Sequence, residues 1–342
     1  MNPELLPYEA LSKELMRRCF AEDDPSELYQ WLTATVARLG GAADADDAIM
    51  TWPESFDIYD DLLDKRAALA MLPETERRIL DWKWGSWNEM IDPLEPGLLA
   101  VLSAGDGMGK TIYAEELAEH WARKRNHVVF VHYELNRAIM LDRRTARHTS
   151  IPRRILKSGR LTTEEAARVR DVRPRLLAWD GFITYLHTPG WNMDRTVAEL
   201  RRLRAEGLCD VVVLDYLEKT AASTRQTKLF GTNLYQREAD NVEQLKNFAE
   251  STETPALMLT QMSKAGKSTS FDNIDRMGMR GAGEKSEKAN IVVLLHREHI
   301  DDGYSNTVDV RIDKNTMGRT GTFQQYMEPE FFRVGDIEKR QP

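Results

Sequence analysis

The chain is poor in cysteine: among 342 residues there are only Cys19 and Cys209, far apart in sequence. Two such residues support neither a disulfide framework nor a zinc site, and they point to a reducing compartment. No apolar run approaches a membrane span, and 30% of the residues are charged, so no membrane association is expected. The opening residues M-N-P-E-L-L-P-Y lack a basic stretch followed by an apolar one, which argues against a secretory leader. A cytoplasmic location follows as the expectation, the host cytoplasm if the source is a phage. No internal repeat and no long low-complexity segment occurs. Positive charge is not in excess either, because the net charge is −8. That excludes a protein coated in cations but not one with a local groove for nucleic acid, since Arg137 to Arg175 is strongly basic and residues 42 to 64 strongly acidic.

What is present suffices for a substantial core, with 42% hydrophobic residues. Residues 1–50 read as a small helical region, with Leu5, Leu11, Leu15, Leu28, Trp31, Leu32 and Val36 in helical spacing until Gly40-Gly41. Residues 51–80 read as a linker whose helix, from Asp57 to Leu72, carries the stripe Ile58, Leu62, Leu63, Leu69 and Leu72. From 81 to 335 the pattern becomes an alternation of strands and helices. The runs G-L-L-A-V-L-S, V-V-F-V-H-Y, F-I-T-Y-L, V-V-V-L-D-Y, A-L-M-L-T-Q, N-I-V-V-L-L-H and V-D-V-R-I-D-K are strand-like. Continuous β-branched runs separated by helices predict an α/β fold, a mostly parallel sheet covered on both faces.

Residues 103 to 111, S-A-G-D-G-M-G-K-T, end the first strand and open the first helix. The phosphate-loop pattern G-x-x-x-x-G-K-[ST] is met at Gly109, Lys110 and Thr111, while Ala104 replaces the opening glycine. Successive backbone N–H groups of such a loop, at the positive end of a helix, cradle phosphates. Ala104, Gly105, Asp106, Gly107, Met108, Gly109, Lys110, Thr111 and Ile112 are therefore the expected nucleotide site. Lys110 would neutralise phosphate oxygens, and the Thr111 hydroxyl would hold Mg²⁺. Three further residues end strands at the same sheet edge. Asp215 can hold the Mg²⁺ water shell, or it merely caps a turn. Glu134 can orient or deprotonate the attacking water, or it is a helix-start acid before L-N-R. Gln261 can sense the terminal phosphate, and it gains weight only as the fourth polar residue of that edge.

In this order the motifs resemble those of DnaB-type replicative helicases, hexameric motors on a RecA-like core, from about Trp84 to Gly321. The lead-in W-N-E-M-I-D-P-L-E-P-G-L-L-A-V, the stretch H-Y-E-L at Glu134, I-P-R-R-I-L-K-S-G-R-L-T-T-E-E, D-Y-L-E at Asp215 and L-T-Q-M-S-K at Gln261 carry the likeness. Alanine at 104 is common in that family. The resemblance implies a RecA-like phosphate-loop core preceded by a small helical region, with ATP and Mg²⁺ as cofactors. It also implies a homohexamer, translocation 5′→3′ on single-stranded DNA, and a primase or helicase loader as a partner. It makes Lys110, Glu134, Gln261, Lys314 and Arg319 the catalytic set. Lys314 matches the lysine that contacts a neighbouring subunit's nucleotide, in I-D-K-N-T-M-G-R-T-G. The trans-acting arginine position, however, is Thr316. Arg319 is the replacement candidate, with Arg297 and Arg280 behind it. DNA-contacting loops are implied at about 220 to 233, with Arg225 and Lys228, and at 264 to 283, with Lys264, Lys267 and Arg276. The basic helices of 137 to 175 are expected to face solvent or a neighbour. A second reading, an ATP-switched DNA-coating, recombination or loader factor with weak turnover, is favoured by Thr316 and the negative charge.

Overall fold

The computed structural model describes residues 52–73, 77–134, 136–180, 182–262, 282–301 and 303–337, with single positions at 13, 16, 17, 271 and 275. The chain divides into two units, Met1–Pro73 and Glu74–Pro342. In the first, the described element is the helix Trp52–Met71, on which Trp52, Phe56, Ile58, Tyr59, Leu62 and Leu63 are exposed. The helices expected over residues 1–50 lie outside the described residues.

Among its described residues the second unit has eleven strands. They are β1 (Leu99–Ala104), β2 (Val128–His132), β3 (Ile183–His187), β4 (Val211–Asp215), β5 (Ala256–Gln261), β6 (Ile291–His296), β7 (His299–Ile300), β8 (Gly303–Tyr304), β9 (Thr307–Asn315), β10 (Gly321–Glu328) and β11 (Arg333–Asp336). Nine of them form one sheet in the order β11-β10-β9-β6-β1-β5-β4-β2-β3. The six strands from β6 to β3 are mutually parallel. β1, β2 and β4 are buried along their whole length, which explains why they read as unbroken apolar runs.

The sheet is extended at the β6 edge by an antiparallel meander, β9 to β11. V-D-V-R-I-D-K thus belongs to a strand that turns back, not to the parallel set. Among the described residues its connection from β6 holds only the small β7–β8 hairpin, and a parallel return needs a helical crossover. Its alternating burial is that of a strand with one covered face. At Val292/Val293 the pairing of β6 with β9 slips by one residue, leaving Asp313 as the extra residue beside Lys314.

Aromatic packing fixes the lead-in to this core. Trp82, Trp84, Tyr113 and Phe323 all pack against Trp87 in tilted or edge-on pairs, and Trp84 also meets Tyr113, with centroid separations from 5.0 Å (Trp84 with Tyr113) to 6.3 Å (Trp87 with Phe323). Trp87 Nε1 and the Tyr113 hydroxyl both donate to Oε1 of the fully buried Gln325, at 2.9 and 3.0 Å.

Two arginines of the basic region 137 to 175 depart from expectation. Arg144 and Arg147 of the helix Arg137–Thr149 are buried rather than solvated. They meet Glu115 and Glu119, one turn apart on the helix Lys110–Arg123. Arg147 donates to Glu119 at 2.7 Å, to Glu115, and to the Phe332 carbonyl at 2.7 Å. Burial alone would raise the Glu119 carboxyl; Arg147, His148 and Arg144 overcome it and hold it at about 2.

Candidate active site

The phosphate loop runs from the buried end of β1 into the helix Lys110–Arg123. Gly107 and Gly109 adopt φ of 73° and 99°, which side-chain-bearing residues rarely tolerate, and a Cβ on Gly109 would strike the Met327 methyl. Glycine is thus required at these two positions, of which Gly109 is the one that the motif pattern names. Ala104 is fully buried strand, paired with Gln261 and Leu295 of the flanking strands. Nothing there asks for glycine.

Lys110 is nearly buried and donates to the Ala104 and Gly105 carbonyls at 2.8 and 2.9 Å, so its ammonium lies against the loop. The Thr111 hydroxyl donates to Asp215 Oδ2 at 3.0 Å. Asp215 Oδ1 is buried and has no hydrogen-bond partner among the described residues. Burial raises this carboxyl from 3.8 to about 6, with Glu115 adding to the rise and Thr111 and Lys110 opposing it. A buried carboxylate with one unsatisfied oxygen, next to a hydroxyl at a helix start, suits a hard divalent cation. Thr111 and Asp215 therefore fit Mg²⁺.

Gln261 ends β5 and donates to Asp106 Oδ1, at the exposed tip of the loop, over 2.8 Å. Glu134, two residues past β2, is exposed, with Lys219 Nζ at 3.7 Å from its Oε1. β2 pairs His132 with Asp215, so Glu134 follows the same carboxyl edge. Lys110, Thr111, Asp215, Gln261 and Glu134 are thus gathered at one end of the parallel strands.

Lys314 and Arg319 are at the other end. Lys314 pairs with Val292 near the start of β6, whereas Ala104 pairs with Leu295 near its finish. Lys314 donates to the Ser286 and Glu287 carbonyls at 2.8 and 3.1 Å, and Arg319 to the Glu89 carbonyl at 2.8 Å. The Thr316 N–H bonds the Asn290 carbonyl at 3.0 Å. Arg297 is tied to its own cradle: it donates to Gly107 at 3.2 Å, to Ser305 at 2.7 Å and to Tyr304 at 3.3 Å. It braces the loop against the β7–β8 hairpin. Sequence reading weighed it only as a trans-acting cation, because a buried brace and an exposed finger look alike in H-R-E.

Residues 220 to 233 are not an open loop. They contain the helix Thr224–Phe230, opened by a Ser223–Gln226 capping box. Arg225 binds Asp240 at 2.5 Å, while Lys228 is exposed. Lys264, Lys267, Arg276 and Arg280 lie outside the described residues. A residue passed over in sequence is Lys285: set in the charged run G-E-K-S-E-K, it reads as solvated but is fully buried.

Residues 82–336 match the family model described as the DnaB-like helicase C terminal domain. A curated relative, the replicative DNA helicase DnaB of Geobacillus stearothermophilus, is 25% identical over 246 residues, or 71% of this chain and 53% of that protein. The chain spans about half the length of the curated relatives it matches. Among solved structures, the ATPase domain of G40P shares the fold with a TM-score of 0.70 at 17% identity, over 82% of this chain and 98% of that one. A DnaB-like replicative helicase, in a structure titled with its interactions with primase, shares it with a TM-score of 0.78 at 14% identity, over 98% of this chain and 76% of that one.

Proposed function

The chain belongs to the DnaB-like helicase C-terminal domain family, and from the site it carries we propose that it is an ATP-driven DNA helicase. On this reading it is a homohexameric ring that translocates 5′→3′ on single-stranded DNA, with a primase or helicase loader as its partner. One observation carries the hydrolytic part: Thr111 and Asp215 pair beside the Lys110 cradle while Gln261 reaches its tip. Thr111 and Asp215 would hold Mg²⁺ there, and the ion would supply charge neutralisation to the phosphates. Lys110 exchanges its loop carbonyls for phosphate oxygens. Glu134 orients the attacking water and takes its proton. Gln261 reports the terminal phosphate to the loop through Asp106.

Assembly enters because Lys314 and Arg319 sit at the opposite strand ends from their own cradle. They would complete a neighbour's site, so turnover requires a ring. The exposed Ile58, Leu62 and Leu63 of the helix Trp52–Met71 offer an apolar stripe for docking on the adjacent protomer. A variant lacking residues 1–75 that formed an unchanged hexamer in light scattering would refute that docking.

A second reading is an ATP-switched DNA-coating, recombination or loader factor that turns over slowly and does not unwind. It is favoured by Thr316 in the finger position and by the engagement of Arg319 with Glu89. A trans-acting cation contributes roughly 10³ to 10⁵ in turnover. ATPase and strand-displacement assays on a forked DNA separate the two. DNA-stimulated hydrolysis with strand release supports the motor; nucleotide-dependent binding without release supports the coating protein.

A further inference from the structure

Lys285 lies on the short helix Ala282–Lys288 and is fully buried. Its ammonium has three N–H donors and meets three acceptors: Glu218 Oε1 at 2.6 Å, Thr260 Oγ1 at 2.8 Å and Glu238 Oε2 at 3.1 Å. Buried ion pairs of this kind add little net stability over apolar residues of the same shape. What such a group supplies is position.

The position in question is the end of β5. On one side, β5 is paired with β1 through to Ala104 and Gln261. On the other, its ladder with β4 stops at Leu214 and Met258, leaving Thr260 and Gln261 without strand partners there. Glu218, three residues past β4, takes over. Its Oε1 accepts from the Thr260 hydroxyl and from the Gln261 backbone N–H, the latter at 3.2 Å. Glu218 Oε2 is buried and has no hydrogen-bond partner among the described residues. The terminal torsion of a glutamate is broad, so its own preferences do not fix the plane of the carboxylate. The Lys285 ammonium does, by binding Oε1. With Oε1 fixed, the Gln261 backbone is fixed, and its side chain meets Asp106 at the loop tip.

We propose that Lys285 is a positioning residue for ATP hydrolysis, acting through Glu218 to hold Gln261 at the nucleotide edge. This rests on the hydrolytic reading of the cradle. The role is separate from nucleotide affinity, because the Lys110 and Thr111 contacts do not pass through this network.

The test uses the full chain. Lys285→Met alone leaves the buried Glu218 without its countercharge, so the working variant is the neutral pair Lys285→Met with Glu218→Gln. Binding of a fluorescent ATP analogue and steady-state kcat and KM with saturating single-stranded DNA are measured, with and without Gln261→Ala. The expected result is analogue affinity within about threefold of wild type and kcat lower by about tenfold or more. Adding Gln261→Ala to the neutral pair should slow it no further, since both changes remove one function. Turnover within about twofold of wild type overturns the proposal, as do losses that simply multiply. Loss of analogue binding also overturns it, because the network would then support the cradle as a whole. A wild type that binds the analogue but never turns over removes the hydrolytic reading itself, a result distinct from any of these.

Discussion

Asp215→Asn should stabilise the nucleotide-free protein while disabling it. Burial raises the Asp215 carboxyl from 3.8 to about 6, so the folded state disfavours the ionised form. At about 1.4 kcal/mol per pKa unit, the charge costs the folded state about 3 kcal/mol once the pH is well above 6. The sign follows from the raised value. Below 3.8 the side chain is neutral in both states and costs nothing; as the pH rises through about 6, the full penalty develops. Asparagine is the neutral isostere, it can still accept from Thr111, and its amide is no worse satisfied than the protonated carboxyl it replaces. The variant should therefore melt roughly 6–12 °C above wild type at about pH 8, since each kcal/mol moves a unit of this size by about 2–4 °C. The gap should narrow through about pH 5 and close near pH 4. Differential scanning calorimetry across that range, without nucleotide or Mg²⁺, measures it. The same variant should lose the Mg²⁺-dependent part of ATP binding. A variant that melts at or below wild type at about pH 8, or a gap independent of pH, would refute the reasoning.

Lys110→Ala should abolish ATP binding and hydrolysis, read by analogue fluorescence and phosphate release, because no other described cation reaches the Ala104 and Gly105 carbonyls. Arg147→Met should destabilise by about 3–5 kcal/mol in denaturant titration, because it leaves Glu115 and Glu119 buried without their main partner. The exposed Arg202, although paired with Glu199 and Glu206, should be replaceable by alanine with no measurable change in the melt. Lys228→Ala should weaken single-stranded DNA binding and lower the slope of log affinity against log salt by about 0.7, whereas a solvated bystander would leave that slope unchanged.

The shape of the loop was legible in the sequence because it is local. Gly107, Gly109, Lys110 and Thr111 make a backbone turn and a helix start, and both are set within a few residues. Asp215 and Gln261 were legible one step further out, because each terminates a largely apolar strand and a parallel sheet aligns such ends. The residues that were missed work across long sequence separations from within charged runs. Arg144 and Arg147 sit among arginines that are solvated, and only the one-turn spacing of Glu115 and Glu119 hints at a partner. Lys285 gives no such hint, since its acceptors Glu218, Glu238 and Thr260 come from three other elements. The antiparallel meander escaped notice for a related reason. A buried strand run carries no mark of its direction; only the length of the preceding connection does.

The same sheet explains why Arg297 cannot serve where Thr316 stands. A finger for a neighbour must leave its own cradle, and Arg297 spends its three nitrogens on carbonyls of Gly107, Tyr304 and Ser305. Releasing it would loosen the loop that Gly107 allows to turn. Among the described residues the Arg319 side chain has a single tie, to the Glu89 carbonyl, and it is exposed at the strand ends opposite the cradle. A cation held by one hydrogen bond at an exposed loop can be redirected at little cost; one buried among three cannot. If this chain hydrolyses ATP as a ring, Arg319→Ala should therefore lower DNA-stimulated kcat without changing analogue affinity, and mixing in Lys110→Ala subunits should restore part of the loss. Arg297→Ala should instead weaken analogue binding itself, in a ring or out of one. Equal affinity losses in the two variants would reverse this assignment.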